Sequence, residues 1–264
     1  MKQTSSNRLT LIALILLGAV AVVCIMLGRW QLERAAERRE VAAILDAGRR
    51  APPVVLTPQI DAAELRAWRP AQAQGQWRSE WSVLIDNRNL DGRPGLWLAM
   101  PMMLDQDTAV LVLRGWLERP IADRPVANIP TTSLPIKIEG ELAVRVPRLF
   151  ELWTSRANAV ESLPDGWKGT PELIPGEVDP KLLPRLQNLD LDVYAQRTGL
   201  KFLPTVLMQN GSDGSDGLKR VWPEPSVDAD KNVGYAMQWF GFAGIVLIAF
   251  LVLVWRRLRT RQSP

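Results

Sequence analysis

Two long uncharged apolar runs interrupt an otherwise mixed pattern of hydrophobic and polar positions. The first extends from Leu9 to Leu27 and the second from Tyr235 to Trp255. Each holds about 20 residues, and a helix of that length crosses a hydrocarbon core of roughly 30 Å. The alternative for the first run is a cleaved signal peptide, but its apolar part is long and no small-residue cleavage motif follows it. We therefore predict two transmembrane helices, over residues 9–28 and 234–255.

The cations beside these runs predict the orientation. Arg256, Arg257, Arg259 and Arg261 follow the second run, whereas only Lys231 lies just before it. Positive residues favour the cytoplasmic side. The cations around the first run favour the opposite orientation. However, a chain that crosses the membrane twice has both termini on the same side, and the excess of Lys and Arg on one side is clearer at the second run. We expect residues 1–8 and the basic tail 256–264 in the cytoplasm, and residues 29–233 in the periplasm of a bacterial inner membrane.

The segment between the runs changes from helical to strand periodicity. Residues 31–50 are rich in Ala, Glu and Arg and extend the first helix, and residues 61–68 predict a short second one. Alternating patterns then predict strands, with turns at Asp91-Gly92 and Pro94-Gly95. A helix over residues 189–198 ends at Gly199, residues 151–188 are irregular, and residues 210–217 form a flexible loop. The predicted strands are residues 71–77, 82–87, 96–102, 109–116, 136–146 and 205–209.

The expected fold class is therefore a membrane protein in which two transmembrane helices flank a periplasmic α+β domain. Its strands are short, and the turns between two of them favour antiparallel pairing. We expect this β structure to form an antiparallel sheet or a small barrel.

Composition excludes much chemistry. The chain of 264 residues has no histidine and one cysteine, Cys24, which rules out His-dependent nucleophile systems and HExxH metal sites. All 28 acidic residues lie within residues 30–233, so this segment carries about −3 although the whole chain carries +4. The surplus cations flank the apolar runs instead of forming a phosphate-binding surface. We expect no catalytic residues, no metal site and no nucleic-acid binding.

Five motifs, in order along the chain, resemble one family. Residues 27–34 (LGRWQLER) are similar to a G-x-W-Q-x-x-R signature, and residues 88–95 (RNLDGRPG) to R-x-x-x-G-x-P-G. Residues 111–116 (LVLRGW) resemble L-V-N-R-G-W, residues 198–204 contain a T-G-L…P element, and residues 234–240 (GYAMQWF) resemble G-Y-A-x-x-W-F. These motifs resemble the surfeit-locus-protein-1 family, membrane-bound assembly factors of haem-copper cytochrome c oxidase.

The resemblance implies oxidase subunits or other assembly factors as partners, together with the lipid bilayer. It also implies haem a as a ligand, since some members carry a histidine, proposed to bind haem, three residues before the tyrosine of the last motif. Here that position is Asn232, and an amide is a poor iron ligand. The resemblance therefore does not imply that this chain binds haem through residue 232. Cys24, Met26, Tyr235 and Met237 are the remaining donors near the runs.

Single residues have alternative interpretations. Three interpretations of Arg114, which lies within an apolar strand, are open: its side chain faces solvent, binds a carboxylate of haem or of an acidic partner, or pairs internally with Asp or Glu. The same interpretations apply to Arg88. Tyr235 and Trp239 share a helix face and predict either an interfacial aromatic belt or a contact between the helices. The candidate ligand- or partner-binding residues are Trp30, Gln31, Arg34, Arg88, Arg114, Trp116, Asn232, Tyr235 and Trp239.

The leading hypothesis is an assembly factor for haem-copper oxidase that assists haem a insertion or holds an oxidase subunit. The alternative is a membrane-anchored periplasmic scaffold that works through protein contacts without haem. A hydrolase based on carboxylates is the weakest hypothesis, because the acidic residues form no recognisable pair.

Overall fold

A computed structural model describes residues 2–119, 128–147, 163–164, 167–170, 176–211 and 215–262, with side chains from residue 8 to residue 259. The described helices are α1 (Lys2–Arg50), α2 (Leu191–Thr198) and α3 (Ala229–Gln262). The described strands are β1 (Val54–Leu56), β2 (Pro70–Trp77), β3 (Val83–Leu90), β4 (Arg93–Met103), β5 (Thr108–Glu118), β6 (Ile129–Pro130), β7 (Ile136–Ala143), β8 (Glu177–Val178), β9 (Arg185–Leu186) and β10 (Lys201–Gln209). The chain divides into a helical unit, residues 1–43 and 224–264, and a β unit, residues 44–223.

The helical unit pairs α1 with α3. Both helices are long and apolar enough, by length and composition, to cross a membrane. Gly28 of α1 lies against the Phe240 ring of α3, since a Cβ added at Gly28 would lie 2.6 Å from a ring carbon. The small or short buried residues on the two helices are Ala21, Cys24, Ala35, Ala229, Ala236 and Ala243.

The β unit is built on a closed barrel of five strands. The pairing runs β2–β7–β10–β5–β4 and returns from β4 to β2, and β3 continues the sheet outside β4. These pairs are antiparallel except β5–β10, which is parallel. The fold class expected from the sequence, two terminal apolar helices flanking a β-rich domain, is thus confirmed, and the β structure takes the barrel form.

Two hydrophobic clusters stabilise the β unit. Alternate residues of all five barrel strands, among them Leu98, Met100, Leu142 and Leu207, form the barrel interior. The opposite faces of β4, β5 and β10 pack against α2 through Tyr194 and neighbouring side chains. The apolar positions of β4 and β5 are therefore buried on both faces, which explains why these two strands have nearly continuous apolar sequences.

Local sequence signals account for several elements. Asp91 and Gly92 both have positive φ, 50° and 75°, and form the two-residue connection between β3 and β4 that their sequence predicts. Asp190 caps the first turn of α2, and Gly199 ends it in the left-handed conformation with φ 71°. The predicted extension of the first helix to Arg50 is also confirmed.

Two local predictions are wrong, and one falls partly outside the described residues. Instead of a helix over residues 61–68, the structure has a single 3-10 turn, Ala62–Glu64, because the backbone N–H of Trp68 donates to Leu142 O and continues the sheet. The predicted turn at Pro94-Gly95 is also wrong, because both residues lie within β4, where Gly95 pairs with Arg88 of β3 and Glu118 of β5. Half of residues 151–188 lie outside the described residues, and β8 and β9 fall within the described half.

Candidate functional site

Arg88 lies in a cleft of the β unit with aromatic walls. The cleft has a volume of about 370 Å³. A β-bulge between Ile85 and Arg88 places two residues of β3 opposite one residue of β4, and a bulge of this kind redirects the side chains that follow it. The cleft is lined by Asn87, Arg88, Asn89, Leu90, Trp97, Trp116, Pro147, Val221, Trp222 and Pro223.

The Arg88 side chain is 96% buried and only partly satisfied. Its guanidinium carbon lies 4.5 Å from the centroid of the Trp97 ring, and Nη2 donates to Gln187 O at 3.1 Å. Nε has no hydrogen-bond partner in the described part of the chain. Burial lowers the pKa of Arg88 to about 10, and the charge of Asp86 partly opposes this effect.

Trp116 connects β5 to the backbone of Arg88. Its indole Nε1 donates to Arg88 O at 2.7 Å. The ring fits against Gly95, where an added Cβ would lie 2.1 Å from Nε1. A glycine is required at this position because any side chain would displace the indole. Two predicted site residues, Arg88 and Trp116, are therefore brought together by the fold.

Arg114 occupies a different environment. A second bulge on β5 places Arg114 between residues that pair with Leu98 and Ala99, and its guanidinium stacks at 5.1 Å over Trp77, a member of the barrel-interior cluster. Nη2 donates to Asp216 Oδ2 and to Pro130 O, each at 3.2 Å. Asp216 also pairs with Arg220. Of the alternatives for Arg114, the structure selects internal pairing and not exposure to solvent.

This buried ion cluster contains two guanidinium groups and one carboxylate. The side chains of Arg114, Asp216 and Arg220 are 6%, 10% and 5% exposed. Burial lowers the pKa of Arg114 to about 10, the charge of Arg220 lowers it further, and Asp216 raises it. The Nε atoms of both arginines lack partners in the described part of the chain. Because all three side chains are at most 10% exposed, the cluster stabilises the fold.

The remaining candidates belong to the helical unit. Asn232 Nδ2 donates to Gln31 Oε1 at 2.6 Å, which links α3 to α1. Trp30 and Tyr235 are about half exposed, and Arg34 pairs with Glu37 on the exposed side of α1. Trp239 packs edge-on against Phe242 of its own helix, with ring centroids 6.0 Å apart. Of these candidates, the structure joins Gln31 and Asn232 directly.

The comparison with known families agrees with this arrangement. The model of the SURF1 family matches residues 18–244. The chain belongs to the SURF1 family. Members of this family are known as cytochrome oxidase assembly factors and not as enzymes, and membership suggests interaction with oxidase assembly machinery. No curated protein matches the chain.

Two of the motifs that resemble the family interlock in the Arg88 cleft. The first contributes Arg88 and the turn glycine Gly92, and its last residue, Gly95, makes room for an indole. The second motif contributes that indole, Trp116. The structure therefore gives the two short motifs a common physical role, since each needs the other to form this wall of the cleft.

His-ligated haem does not fit the position of Asn232 in this SURF1-family chain. The amide of Asn232 donates to Gln31, so the side chain is engaged between the helices. Within the described residues, no group of three or more His, Cys, Asp or Glu side chains could hold a metal ion. Asn232 is therefore a residue that links the two helices.

Sequence reasoning missed three residues that shape these sites. Trp97 lies directly opposite Trp116 across β4 and β5, and the alternation of the two predicted strands offered a weak signal for this pair. Trp222 packs edge-on against Trp97, with centroids 5.4 Å apart. No local pattern marks Trp222 or Asp216, because both lie in loops that only the tertiary fold brings to the arginines.

Proposed function

We propose that this SURF1-family protein assists the maturation of haem-copper cytochrome c oxidase at the outer face of a bacterial inner membrane. In this proposal residues 9–28 and 234–255 span the bilayer, residues 29–233 form the periplasmic domain, and both short termini are cytoplasmic. The protein holds an oxidase subunit, or haem a in transit, while the oxidase is assembled. It performs no covalent chemistry.

The observation that carries this proposal is the Arg88 cleft. Two motifs that resemble the family form its wall, and indole rings and a guanidinium are among the groups that line the cleft, whereas its lining residues include no nucleophile paired with a base. Such a surface is suited to holding a ligand or a partner segment. The two apolar terminal helices support anchoring of this surface to the membrane.

Complementation in a strain that lacks the gene tests the proposal. We expect the deletion to reduce haem a absorbance and oxidase activity in membranes, and the wild-type gene to restore both. Arg88→Gln, expressed at the same level, should fail to restore them. Arg93→Gln is the matched control, because Arg93 lies on the same hairpin and is exposed. Unchanged oxidase activity in the deletion, in a genome without a second family member, would contradict the proposal.

A second candidate is a scaffold of the same topology that acts through protein contacts without haem. The Gln31–Asn232 hydrogen bond favours it, since this bond occupies the position where other members carry histidine. Haem absorbance in the purified protein separates the two candidates. Co-purified oxidase subunits without haem absorbance would support the scaffold.

A further inference from the structure

The helical unit carries cations at both ends, and the two ends differ in how that charge is balanced. At one end acidic side chains pair with the cations, as Glu37 does with Arg34 and Asp228 with Lys231. The other end, which we call the basic end, contains the cations Lys2, Arg8, Arg256, Arg257, Arg259 and Arg261. Residues 1–32 and 231–264 contain no Asp or Glu. Neither segment therefore supplies an acidic side chain to balance the charge of the basic end.

The antiparallel pairing of α1 and α3 brings the cations of both helices to the same level. Gly28 lies against Phe240, and Gln31 accepts a hydrogen bond from Asn232, so the residue numbers rise along α1 as they fall along α3. Both helices rise by about 1.5 Å per residue. Arg8 lies 20 residues before Gly28, and the last arginines of α3 lie about as far beyond Phe240. Arg8 therefore adds its charge at the level of those arginines.

Arg259 is held against the residue that ends the second apolar run. Its guanidinium carbon lies 4.1 Å from the centroid of the Trp255 ring. Tryptophan prefers the boundary between hydrocarbon and water, so this contact places the guanidinium where lipid headgroups lie. Arg256 is three residues earlier on the same side of the helix and is exposed, as is Arg259.

An exposed apolar stripe continues from these arginines along α3. Ile248, Val252 and Trp255 follow the helical spacing that leads to Arg259, and all three are exposed. A ligand that covers this surface therefore has an anionic group at the arginines and an apolar chain along the stripe. A guanidinium matches a phosphate group with two parallel hydrogen bonds. A phospholipid combines the phosphate with the chain, whereas a free phosphate or a nucleic acid lacks the chain.

We propose that the basic end binds an anionic phospholipid, with the headgroup phosphate on Arg256 and Arg259 and an acyl chain along Ile248 and Val252. A zwitterionic phospholipid offers the same phosphate but carries its own cation, so the site selects lipids with a net negative charge. The inference goes beyond the proposed function, because it involves neither the oxidase nor haem. It rests only on the insertion of the two apolar helices into a bilayer.

The test uses the full-length protein in a nonionic detergent, labelled with 5-fluorotryptophan. The fluorine NMR signal of Trp255 is assigned with Trp255→Phe. The three probes are dioctanoyl-phosphatidylglycerol, dioctanoyl-phosphatidylcholine and inorganic phosphate. We expect the phosphatidylglycerol to shift the Trp255 signal and to bind about tenfold more tightly than the phosphatidylcholine, and inorganic phosphate at the same concentration to cause no shift. Protein-free micelles correct for the partition of each lipid.

A double variant tests the role of the arginines. We expect Arg256→Gln/Arg259→Gln to weaken phosphatidylglycerol binding about tenfold. The matched control, Arg39→Gln/Lys231→Gln, removes two exposed cations from the opposite end of the helical unit and should leave binding unchanged. Because the titration is made in detergent, an altered orientation of a variant in the membrane does not affect it.

Four results would each overturn the inference. They are equal affinity for the two lipids, an equal response to inorganic phosphate, unaltered binding in Arg256→Gln/Arg259→Gln, and equal weakening in the control. If the double variant does not fold, the comparison of the three probes on the wild-type protein decides.

This test is independent of the test of the proposed function. Lipid binding is measured on the purified protein, whereas oxidase activity and haem a absorbance are measured in membranes of the complemented strain. Release of the protein from membranes by alkaline carbonate would report a failure of anchoring separately. Lipid selectivity without an effect of the deletion on the oxidase would leave the inference intact and remove the oxidase role.

Discussion

Arg88 and Arg114 are alike in most local respects. Each lies at a β-bulge, each stacks over a tryptophan, and burial lowers the pKa of each to about 10. They differ in the groups to which each guanidinium donates. Arg114 shares Asp216 with Arg220 in the barrel interior, whereas Arg88 binds a backbone carbonyl and lines an open cleft.

The difference separates a structural arginine from a binding arginine. Burial, stacking and a shifted pKa occur in both, so none of these properties identifies a site by itself. The distinguishing features are that Arg88 lines an open cleft and that it has no counter-ion among the described residues. Substitutions at the two arginines and their neighbours should therefore affect protein stability and oxidase maturation in opposite proportions.

Removal of Asp216 should have the largest effect. Asp216→Ala leaves Arg114 and Arg220 buried without their carboxylate, and we expect a loss of about 3–5 kcal/mol in the free energy of unfolding. Urea unfolding of the detergent-solubilised protein, followed by tryptophan fluorescence, measures this loss. Glu118→Gln is the control, since Glu118 is exposed at the end of β5. A loss below about 1 kcal/mol would show that the cluster is not a structural ion group.

Gly95→Ala should damage the cleft wall directly. The new methyl group would meet the Trp116 indole, and we expect a cost of about 1–3 kcal/mol from overpacking. In protein labelled with 5-fluorotryptophan, the fluorine NMR signal of Trp116 should move, while that of Trp77 in the barrel interior should not. Equal movement of both signals would mean that the cleft and the barrel interior are not independent.

Methionine at each arginine sharpens the comparison. Arg114→Met removes a charge-assisted hydrogen bond to Asp216 and should cost about 1–2 kcal/mol in the free energy of unfolding, while the variant still restores oxidase activity in the deletion strain. Arg88→Met removes a buried charge without a counter-ion among the described residues, so the free energy of unfolding should change by less than about 1 kcal/mol while oxidase activity is not restored. Urea unfolding and the complementation assay measure the two quantities. The same outcome for both variants would remove the distinction between the arginines.

Lys219→Met should have the smallest effect. The Lys219 ammonium is exposed and lies over Trp116, and a contact of this kind is worth about 0.5–1 kcal/mol. We expect the oxidase activity of the complemented strain and the urea midpoint to stay close to those of the wild type. A loss of oxidase activity as large as that in Arg88→Gln would show that Lys219 contributes as much as Arg88.

The sequence allowed prediction of the elements whose causes are local. The Asp91-Gly92 turn and the Gly199 cap each depend on a few adjacent residues, and apolar runs of helical length predict the two terminal helices. Barrel closure through the parallel β5–β10 pair depends on strands distant in the chain, and no local pattern encodes it. For the same reason the prediction could not choose among the alternatives for Arg114. The bulge turns that side chain inward, and its counter-ion belongs to a loop about one hundred residues later.

The barrel is closed unevenly. Between β2 and β4 only two residue pairs, Gln76 with Met103 and Trp77 with Met102, complete the ring, whereas β4 and β5 pair along most of their length. The ring of strands is therefore expected to part first at this seam, and amide hydrogen exchange should be fastest there. Arg114 stacks over Trp77 immediately beside it. Loss of the Asp216 charge would free that tryptophan, and the opened barrel would present two unpaired strand edges through which separate molecules aggregate.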